Sequence, residues 1–227
     1  MKKILKTLLF TLALGAVSSV FAAGSLGYGF LWGGDFGGGY EGEYSYTTGS
    51  YYNPTTVHEK FTESTPRYGW GYYMFIDARY IEISTGFLFT GNKWKYEYQS
   101  SEYGNYDYEE EISTKSFNLQ LLAKIPFEVS PDVNVFPLFG VSWDIALRLK
   151  DEDDEKFDDP TDWSAFWFKF GAGFSVPLND ELVLQGSALY GIRTKNKLEN
   201  DVEDEDDDVS ARLGHGLTLR VGIGFNF

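Results

Sequence analysis

The chain ends, from Leu213 to Phe227, in LGHGLTLRVGIGFNF, a stretch that alternates between two kinds of residue. One set of positions is apolar apart from a single histidine: Leu213, His215, Leu217, Leu219, Val221, Ile223, Phe225 and Phe227. The other set is small or polar: Gly214, Gly216, Thr218, Arg220, Gly222, Gly224 and Asn226. A repeat of two residues predicts a β-strand with one apolar face, because a helix would place apolar residues three and four positions apart.

The same alternation predicts seven further strands. In the segment 116–127, every odd-numbered residue from Phe117 to Phe127 is apolar, and the even-numbered positions are mostly polar. The remaining strands are expected at approximately 25–36, 67–76, 80–91, 133–149, 163–176 and 182–194. Eight is an even number, which returns both chain ends to the same side of a closed antiparallel barrel.

The connections between these strands alternate between long and short. The long connections are 40–65, 97–113, 151–162 and 195–211, and the short ones are 77–79, 128–132 and 177–181. Barrels of the bacterial outer membrane have short periplasmic turns and long outer loops, so this asymmetry favours that class. A soluble barrel of the lipocalin type stays open as an alternative, because it would only reverse which face of each strand points inward.

Composition favours the membrane barrel. Aromatic residues make up 18% of the chain, yet the mean hydropathy is only −0.28, as expected where alternate residues alone need to be apolar. The net charge of −15 argues against a nucleic-acid partner, which requires a basic patch. The chain has no cysteine, so its stability cannot come from disulfides.

The N-terminal residues have the pattern of a cleaved signal peptide. Lys2, Lys3 and Lys6 precede a short apolar run, and small residues follow at Val20-Phe21-Ala22. A transmembrane helix is the alternative, but the apolar run is shorter than the ~20 residues that a helix needs to cross a bilayer. We therefore expect a signal peptide at 1–22 and one folded domain at 23–227.

Two short motifs carry a resemblance to a known group of proteins. The ending Leu219-Arg-Val221-Gly-Ile223-Gly-Phe225-Asn-Phe227 resembles the C-terminal strand signature of bacterial outer-membrane barrels. The segment Phe136-Pro-Leu-Phe-Gly140 is similar to a strand pattern of the small OmpA/OmpX/OmpW-type barrels.

The resemblance implies an all-β fold, namely a closed, antiparallel, up-and-down transmembrane β-barrel of eight strands in the bacterial outer membrane. It also implies two partners, outer-membrane lipid and the barrel assembly machinery. We further expect a monomer. The assembly signal would be the apolar face of the last strand: Leu219, Val221, Ile223, Phe225 and Phe227.

Several charged residues are expected to face the inside of the barrel. Glu82 and Lys124 would lie on neighbouring strands near the periplasmic end, and Asp144 and Lys169 at similar depth to each other. Three arginines are also expected to face inward: Arg148, Arg193 and Arg220. Charges in a narrow lumen are normally paired, which predicts a packed polar core, although a conducting path is the alternative. An eight-stranded barrel is about wide enough for its own side chains only.

The inward-facing positions also include apolar residues: Leu31, Leu88, Leu122, Phe136, Leu138, Val183 and Leu189. They leave open a pocket for small hydrophobic molecules, as in OmpW-type barrels. The function predicted first is a structural or surface-interaction role, and a narrow channel or carrier for small or hydrophobic solutes is the alternative.

The long loops are acidic and rich in tyrosine. They hold 26 of the 34 acidic residues, most densely in 151–155 and 203–208. Clustered carboxylates would allow weak divalent-cation binding, but a solvated, self-repelling loop explains them as well. Ten tyrosines lie in or directly beside the first two long connections: Tyr40, Tyr44, Tyr46, Tyr51, Tyr52, Tyr96, Tyr98, Tyr103, Tyr106 and Tyr108. They fit either a binding surface or strands that continue as exposed hairpins.

Catalytic chemistry has little support. The chain has only two histidines, His58 and His215, and the residue two positions after His215 is Leu217 rather than the serine that barrel lipid hydrolases carry there. A nucleophile needs a positioned base, and no motif for a nucleotide, cofactor or metal is present in the sequence. We therefore expect a protein that is not an enzyme and that has no cofactor.

Overall fold

The computed structural model describes residues 24–50, 53–64, 66–102, 104–130, 132–150, 160–194 and 209–227. The predicted signal peptide lies outside the described residues. The strands are β1 (Gly24–Ser50), β2 (Asn53–Ser64), β3 (Arg67–Ala78), β4 (Ile81–Ser100), β5 (Gly104–Lys124), β6 (Phe127–Ser130), β7 (Val133–Lys150), β8 (Ala165–Pro177), β9 (Leu182–Arg193) and β10 (Val209–Asn226). A short 3-10 helix spans Pro160–Trp163. No helix among the described residues is long and apolar enough to cross a membrane.

The strands form one closed antiparallel ring with eight positions. β2 and β3 pair with β4 one after the other, in one continuous register that runs from Glu59 opposite Ser100 to Ala78 opposite Ile81. They therefore count as a single strand of the ring. β6 is a short strand paired only with the start of β7. β1 pairs with β3 on one side and with β10 on the other, which closes the ring. The predicted eight-stranded antiparallel barrel is confirmed.

The two faces of the barrel wall carry different side chains, which shows which face is suited to lipid. The wall exposes large apolar side chains on its outside, among them Phe30 at 64% and Trp70 at 57% exposure, whereas Glu82 and Arg220 are buried inside. We call the outer set the apolar belt: Leu26, Tyr28, Phe30, Trp32, Trp70, Met74, Ile83, Phe87, Leu119, Leu121, Phe139, Trp143, Phe168, Phe170, Leu219, Val221 and Phe225. An exposed apolar surface of this extent belongs in lipid, so the lipocalin-type alternative is wrong.

The first two long connections are strands for most of their length. β1 continues to Ser50, and β4 and β5 meet at a tight turn after Ser100. Beyond the barrel lies a four-stranded sheet, which we call the distal sheet. It consists of residues 41–50 of β1, the whole of β2, residues 93–100 of β4 and residues 104–113 of β5. The reading of these segments as exposed hairpins is therefore confirmed, and it fits the strand propensity of tyrosine. The acidic runs 151–155 and 203–208 lie outside the described residues.

A bulge in β1 connects the barrel to the distal sheet. Asp35 pairs with Arg67, but Glu41 pairs with Thr62, so β1 has one residue more than its partner over this interval. Gly38 and Gly39 lie there with φ of 83° and 104°, a region that favours glycine. A Cβ on Gly39 would also collide with the carbonyl oxygen of Glu63. Because of the extra residue, alternate side chains of β1 change from one side of the sheet to the other above the bulge.

A second bulge, at Leu147 in β7, corrects one prediction. Ser116 pairs with Ala146, but Lys115 pairs with Arg148. Arg148 therefore lies on the outward side of the wall with Lys115, and Leu149 takes the inward position, in a buried cluster with Ile112 and Ala146. The prediction that Arg148 faces the lumen is wrong, because strict alternation cannot anticipate an inserted residue.

Candidate functional site

The lumen is closed by side chains at the end with the short turns. Lys124 forms an ion pair with Asp77, and both side chains are buried. Gln185 also donates to Asp77, and the Lys124 ammonium lies 4.6 Å from the centre of the Phe136 ring. The expected pairing of Lys124 with Glu82 is therefore wrong, since Asp77 takes this place.

Arg220 is the centre of the next layer. Its guanidinium donates to Glu82 Oε1 at 2.6 Å, to Gln120 Oε1 at 2.7 Å and to Ser187 Oγ at 2.9 Å, and it lies 5.2 Å from the ring of Tyr73. These contacts join β10 to β3, β4, β5 and β9 across the lumen. Buried ion pairs need further hydrogen bonds, and Gln120 and Ser187 supply them to the guanidinium of Arg220.

Apolar side chains fill the space around these charges. Leu122, Phe136, Leu138 and Leu189 form one buried cluster. Leu31, Tyr73 and Phe75 form another, against which Leu88 packs. The inward direction predicted for the apolar residues is confirmed for these two clusters, and Val183 is also buried. The members of each cluster pack against one another, and the two clusters fill part of the lumen.

Asp144 and Lys169 are both buried in the lumen but have different partners. Asp144 accepts a hydrogen bond from Asn118. Lys169 donates to Thr218 Oγ1 at 3.3 Å and lies 5.6 Å from the ring of Trp167. The register places Asp144 opposite Ala165 and Lys169 opposite Gly140, and both side chains line the central cavity of the lumen.

Arg193 closes the lumen towards the distal sheet. It is fully buried, and its Nε lies 3.4 Å from the carboxylate of Asp35. Gly38 and Gly214 make room for it, because a Cβ on either glycine would collide with the guanidinium. The inward direction of Arg193 is confirmed. Its partner Asp35 was not among the predicted residues, although its position on the inward face of the first strand was a usable signal.

The cavities show how little space remains. The central cavity, lined by Leu31, Asp144, Trp167, Lys169 and Arg220 among others, has a volume of about 60 Å³. A cavity of this size has room for only a few water molecules. An open vestibule of about 640 Å³ lies at the end with the short turns, next to Lys124 and Phe136. The vestibule ends at the Lys124–Asp77 layer.

The distal sheet has an aromatic face on the side that continues the lumen. Its members are Tyr44, Tyr46, Val57, Phe61, Tyr96, Tyr98, Tyr106 and Tyr108, and we call this set the aromatic face. Ring centres lie 5.6 Å apart for Tyr44 and Phe61, 6.1 Å for Phe61 and Tyr96, and 6.5 Å for Tyr96 and Tyr98. Stacked aromatic pairs of this kind stabilise neighbouring strands.

A carboxylate is part of the same face. Glu59 accepts a hydrogen bond from the hydroxyl of Tyr46 at 2.9 Å and another from Tyr98. The bond to Glu59, followed by burial, raises the pKa of Tyr98, and burial followed by the charges of Glu63 and Glu59 raises the pKa of Tyr96. The aromatic face therefore carries the negative charge of Glu59 next to its rings.

The opposite side of the distal sheet carries its three lysines. Lys60 pairs with Glu43 at 2.8 Å, and Lys93 and Lys95 pair with Glu109 at 2.7 and 3.3 Å. We call this side the charged face. Lys60 lowers the pKa of Glu43 by a hydrogen bond, and Glu43 raises the pKa of Lys60 in return. Such exposed pairs contribute little to stability.

The two histidines lie far from each other. His215 Nδ1 is 2.7 Å from the hydroxyl of Tyr190, on the wall of the barrel. His58 Nδ1 is 2.7 Å from Ser45 Oγ on the charged face, an exposed pair that only the strand register reveals. Among the described residues, no three His, Asp or Glu side chains are placed to hold a metal ion.

The last strand lies in the closing seam of the barrel. Leu219, Val221, Ile223, Phe225 and Phe227 all point outward and are exposed. The backbone N–H of Phe227 donates to the carbonyl oxygen of Gly24 at 3.0 Å, which fixes the chain end against the first strand. The proposed assembly signal is therefore accessible along its whole length.

No family model and no curated protein matches the chain. Solved structures do. Ail, the attachment invasion locus protein of Yersinia pestis, matches at 13% identity and a TM-score of 0.39, over 90% of this chain and 98% of Ail. The outer membrane protease OmpT from Escherichia coli matches at 8% identity and a TM-score of 0.34, over 90% and 96%. The translocator domain of the autotransporter NalP from Neisseria meningitidis matches at 11% identity and a TM-score of 0.26, over 100% and 98%. By its own closed ring and apolar belt, the chain has the fold of a small outer-membrane β-barrel.

Proposed function

We propose that this protein is an outer-membrane anchor with a structural and surface-interaction role, which displays the distal sheet and the acidic loops outside the cell. The observation that carries the proposal is the filled lumen. Arg220, the apolar clusters and the Lys124–Asp77 pair occupy the barrel, and the central cavity holds about 60 Å³. A barrel with a filled lumen would serve as a membrane support for the distal sheet.

The remaining parts of the proposal follow from the difference between the two ends of the barrel. Gly24, Phe227 and the short turns lie at one end of the barrel, which would face the periplasm after export by the signal peptide. The barrel assembly machinery would recognise the last strand, and the protein would work as a monomer without catalysis. Weak divalent binding would involve the acidic runs outside the described residues.

The alternative, a channel or carrier for small or hydrophobic solutes, has one supporting observation. The vestibule at the periplasmic end is partly lined by Phe136 and Val183. A solute that entered there would meet the Lys124–Asp77 pair and the layer of Arg220. To pass, it would have to separate buried charges from their partners, which is strongly unfavourable.

Conductance across a planar bilayer tests the proposal. We expect no single-channel steps from the refolded mature protein. The double variant Arg220→Ser and Glu82→Ser removes the central ion pair without leaving one charge unpaired, and it serves as a control because steps from it would show that inserted protein can be detected. Reproducible steps from the parent protein would overturn the filled-lumen argument and favour the channel.

A further inference from the structure

We propose that the aromatic face binds cationic side chains of a basic peptide segment, with Glu59 as the counter-charge. The inference rests on the proposed surface-interaction function and adds the chemistry of the partner. The partner is described by that chemistry alone: an extended segment with lysine or arginine side chains.

The aromatic rings provide the first part of the site. Four of them, from Tyr44 through Phe61 and Tyr96 to Tyr98, stack in succession across three neighbouring strands. Further out, Tyr46, Tyr106 and Tyr108 are exposed. The face of an aromatic ring attracts a cation, and tyrosine offers a large, rigid contact area.

The carboxylates provide the second part. Glu59 accepts from the hydroxyls of Tyr46 and Tyr98, and Glu110 accepts from Tyr108 at 3.3 Å. A hydroxyl that donates to a carboxylate is polarised towards it, which makes the attached ring more attractive to a cation. The negative groups are thus held against the rings that a bound cation would contact.

The distribution of lysines makes the two faces of the sheet different. Lys60, Lys93 and Lys95 all lie on the charged face, where glutamates bind them. Arg212 donates to the backbone oxygen of Glu63, at the barrel end of the aromatic face. The distal part of that face therefore presents rings and carboxylates without a lysine of its own sheet.

The surroundings would also attract a cationic partner. The connections after β7 and β9 leave the barrel at the same end as the distal sheet. They contain the acidic runs 151–155 and 203–208. A net charge of −15 accelerates the encounter with ligands of the opposite sign, and the aromatic face would then bind the segment.

Fluorescence anisotropy of a labelled peptide with three arginines alternating with serines tests the proposal. The receptor is the mature protein in nanodiscs of zwitterionic lipid. Glu59→Gln is compared with Glu97→Gln, which removes the same charge from the charged face of the same sheet. We expect Glu59→Gln to weaken binding at least fivefold and Glu97→Gln less than twofold.

A second pair of variants separates the rings from the charge. Phe61→Leu keeps an apolar side chain but removes the π-system, and should weaken binding severalfold, whereas Phe61→Tyr should bind like the parent. The shift between boiled and unboiled samples on a gel checks that each variant is folded.

Equal weakening by Glu59→Gln and Glu97→Gln would mean that only overall charge matters and would overturn the proposal. Absence of peptide binding to the parent would overturn it as well. Neither result bears on the anchor role, which fails only if the parent conducts ions.

Discussion

The same strands behave differently inside the barrel and in the distal sheet. In the barrel, the outward side of β4 carries Ile83 and Phe87, and above it the same side carries Lys93 and Lys95. The inward side changes in the opposite direction, from small and polar residues such as Ser84 to tyrosines. The alternation of two continues throughout. Near residue 91, the surroundings of the outward face change from lipid to water, and the inward face no longer borders the packed lumen.

The comparison also shows two ways to stabilise a sheet. The barrel is held by closure and by a buried network around Arg220. The distal sheet has no closure, and it depends on ring stacking and on the bulge at Gly38 and Gly39 that brings Tyr44 to the side of Phe61. Changes in the barrel should therefore affect the whole protein, and changes in the sheet should stay local.

The largest effect is expected at the closing seam. Deletion of Phe227 should greatly reduce the amount of inserted protein in cells, because it removes the last residue of the assembly signal that we propose for this strand. Refolding in detergent should suffer only the loss of apolar contact, about 2 kcal/mol. The measurement is inserted protein in cells against folded fraction in detergent. Equal losses in both settings would mean that Phe227 acts by packing alone.

The next effect is expected in the lumen. Arg220→Leu leaves the Glu82 carboxylate buried without its ion pair and should cost about 3–5 kcal/mol in urea unfolding in detergent. The double variant Arg220→Leu and Glu82→Leu should recover most of this loss, because no buried charge remains. A double variant as unstable as the single one would contradict the role given to this pair. Lys60→Leu, on the exposed pair with Glu43, should leave the unfolding midpoint unchanged.

A smaller, local effect is expected at the bulge. Gly39→Ala forces a residue with a Cβ into a φ of 104° and should cost about 1–3 kcal/mol. We expect proteases to cleave the distal sheet faster while the barrel keeps its gel shift. Gly91→Ala is the matched control, since its Cβ would meet no atom within 4 Å. Equal protease sensitivity of both variants would contradict the account of the bulge.

The smallest effect concerns pH. The pKa values of Tyr96 and Tyr98 are raised above the ordinary value of 10, so folding favours their protonated forms. Their contribution to stability is present below pH 10 and is lost as the pH rises through the folded-state values. Absorbance at 295 nm should show tyrosines that ionise late, and Tyr98→Phe should remove part of this late phase. An unchanged titration would contradict the hydrogen bond to Glu59.

The sequence predicted the strands because alternation is a local property. It did not predict the partners of Glu82 and Lys124, since closure brings Arg220 to Glu82 from 138 positions along the chain. It also failed at Arg148, where one inserted residue reversed the faces of β7. The tyrosine-rich segments were recognised, but their division into an aromatic and a charged face depends on the register of four strands.

The change of surroundings near residue 91 is tested most directly by single cysteines, because the chain has none of its own. Three variants are treated in intact cells with a maleimide that cannot cross membranes: Glu97→Cys, Phe87→Cys and Glu128→Cys. We expect labelling at position 97 in intact cells, at position 128 only after lysis, and at position 87 in neither case. Two results would contradict a lipid-facing belt below an extracellular sheet. One is labelling at position 87, and the other is labelling in intact cells at position 128 but not at position 97.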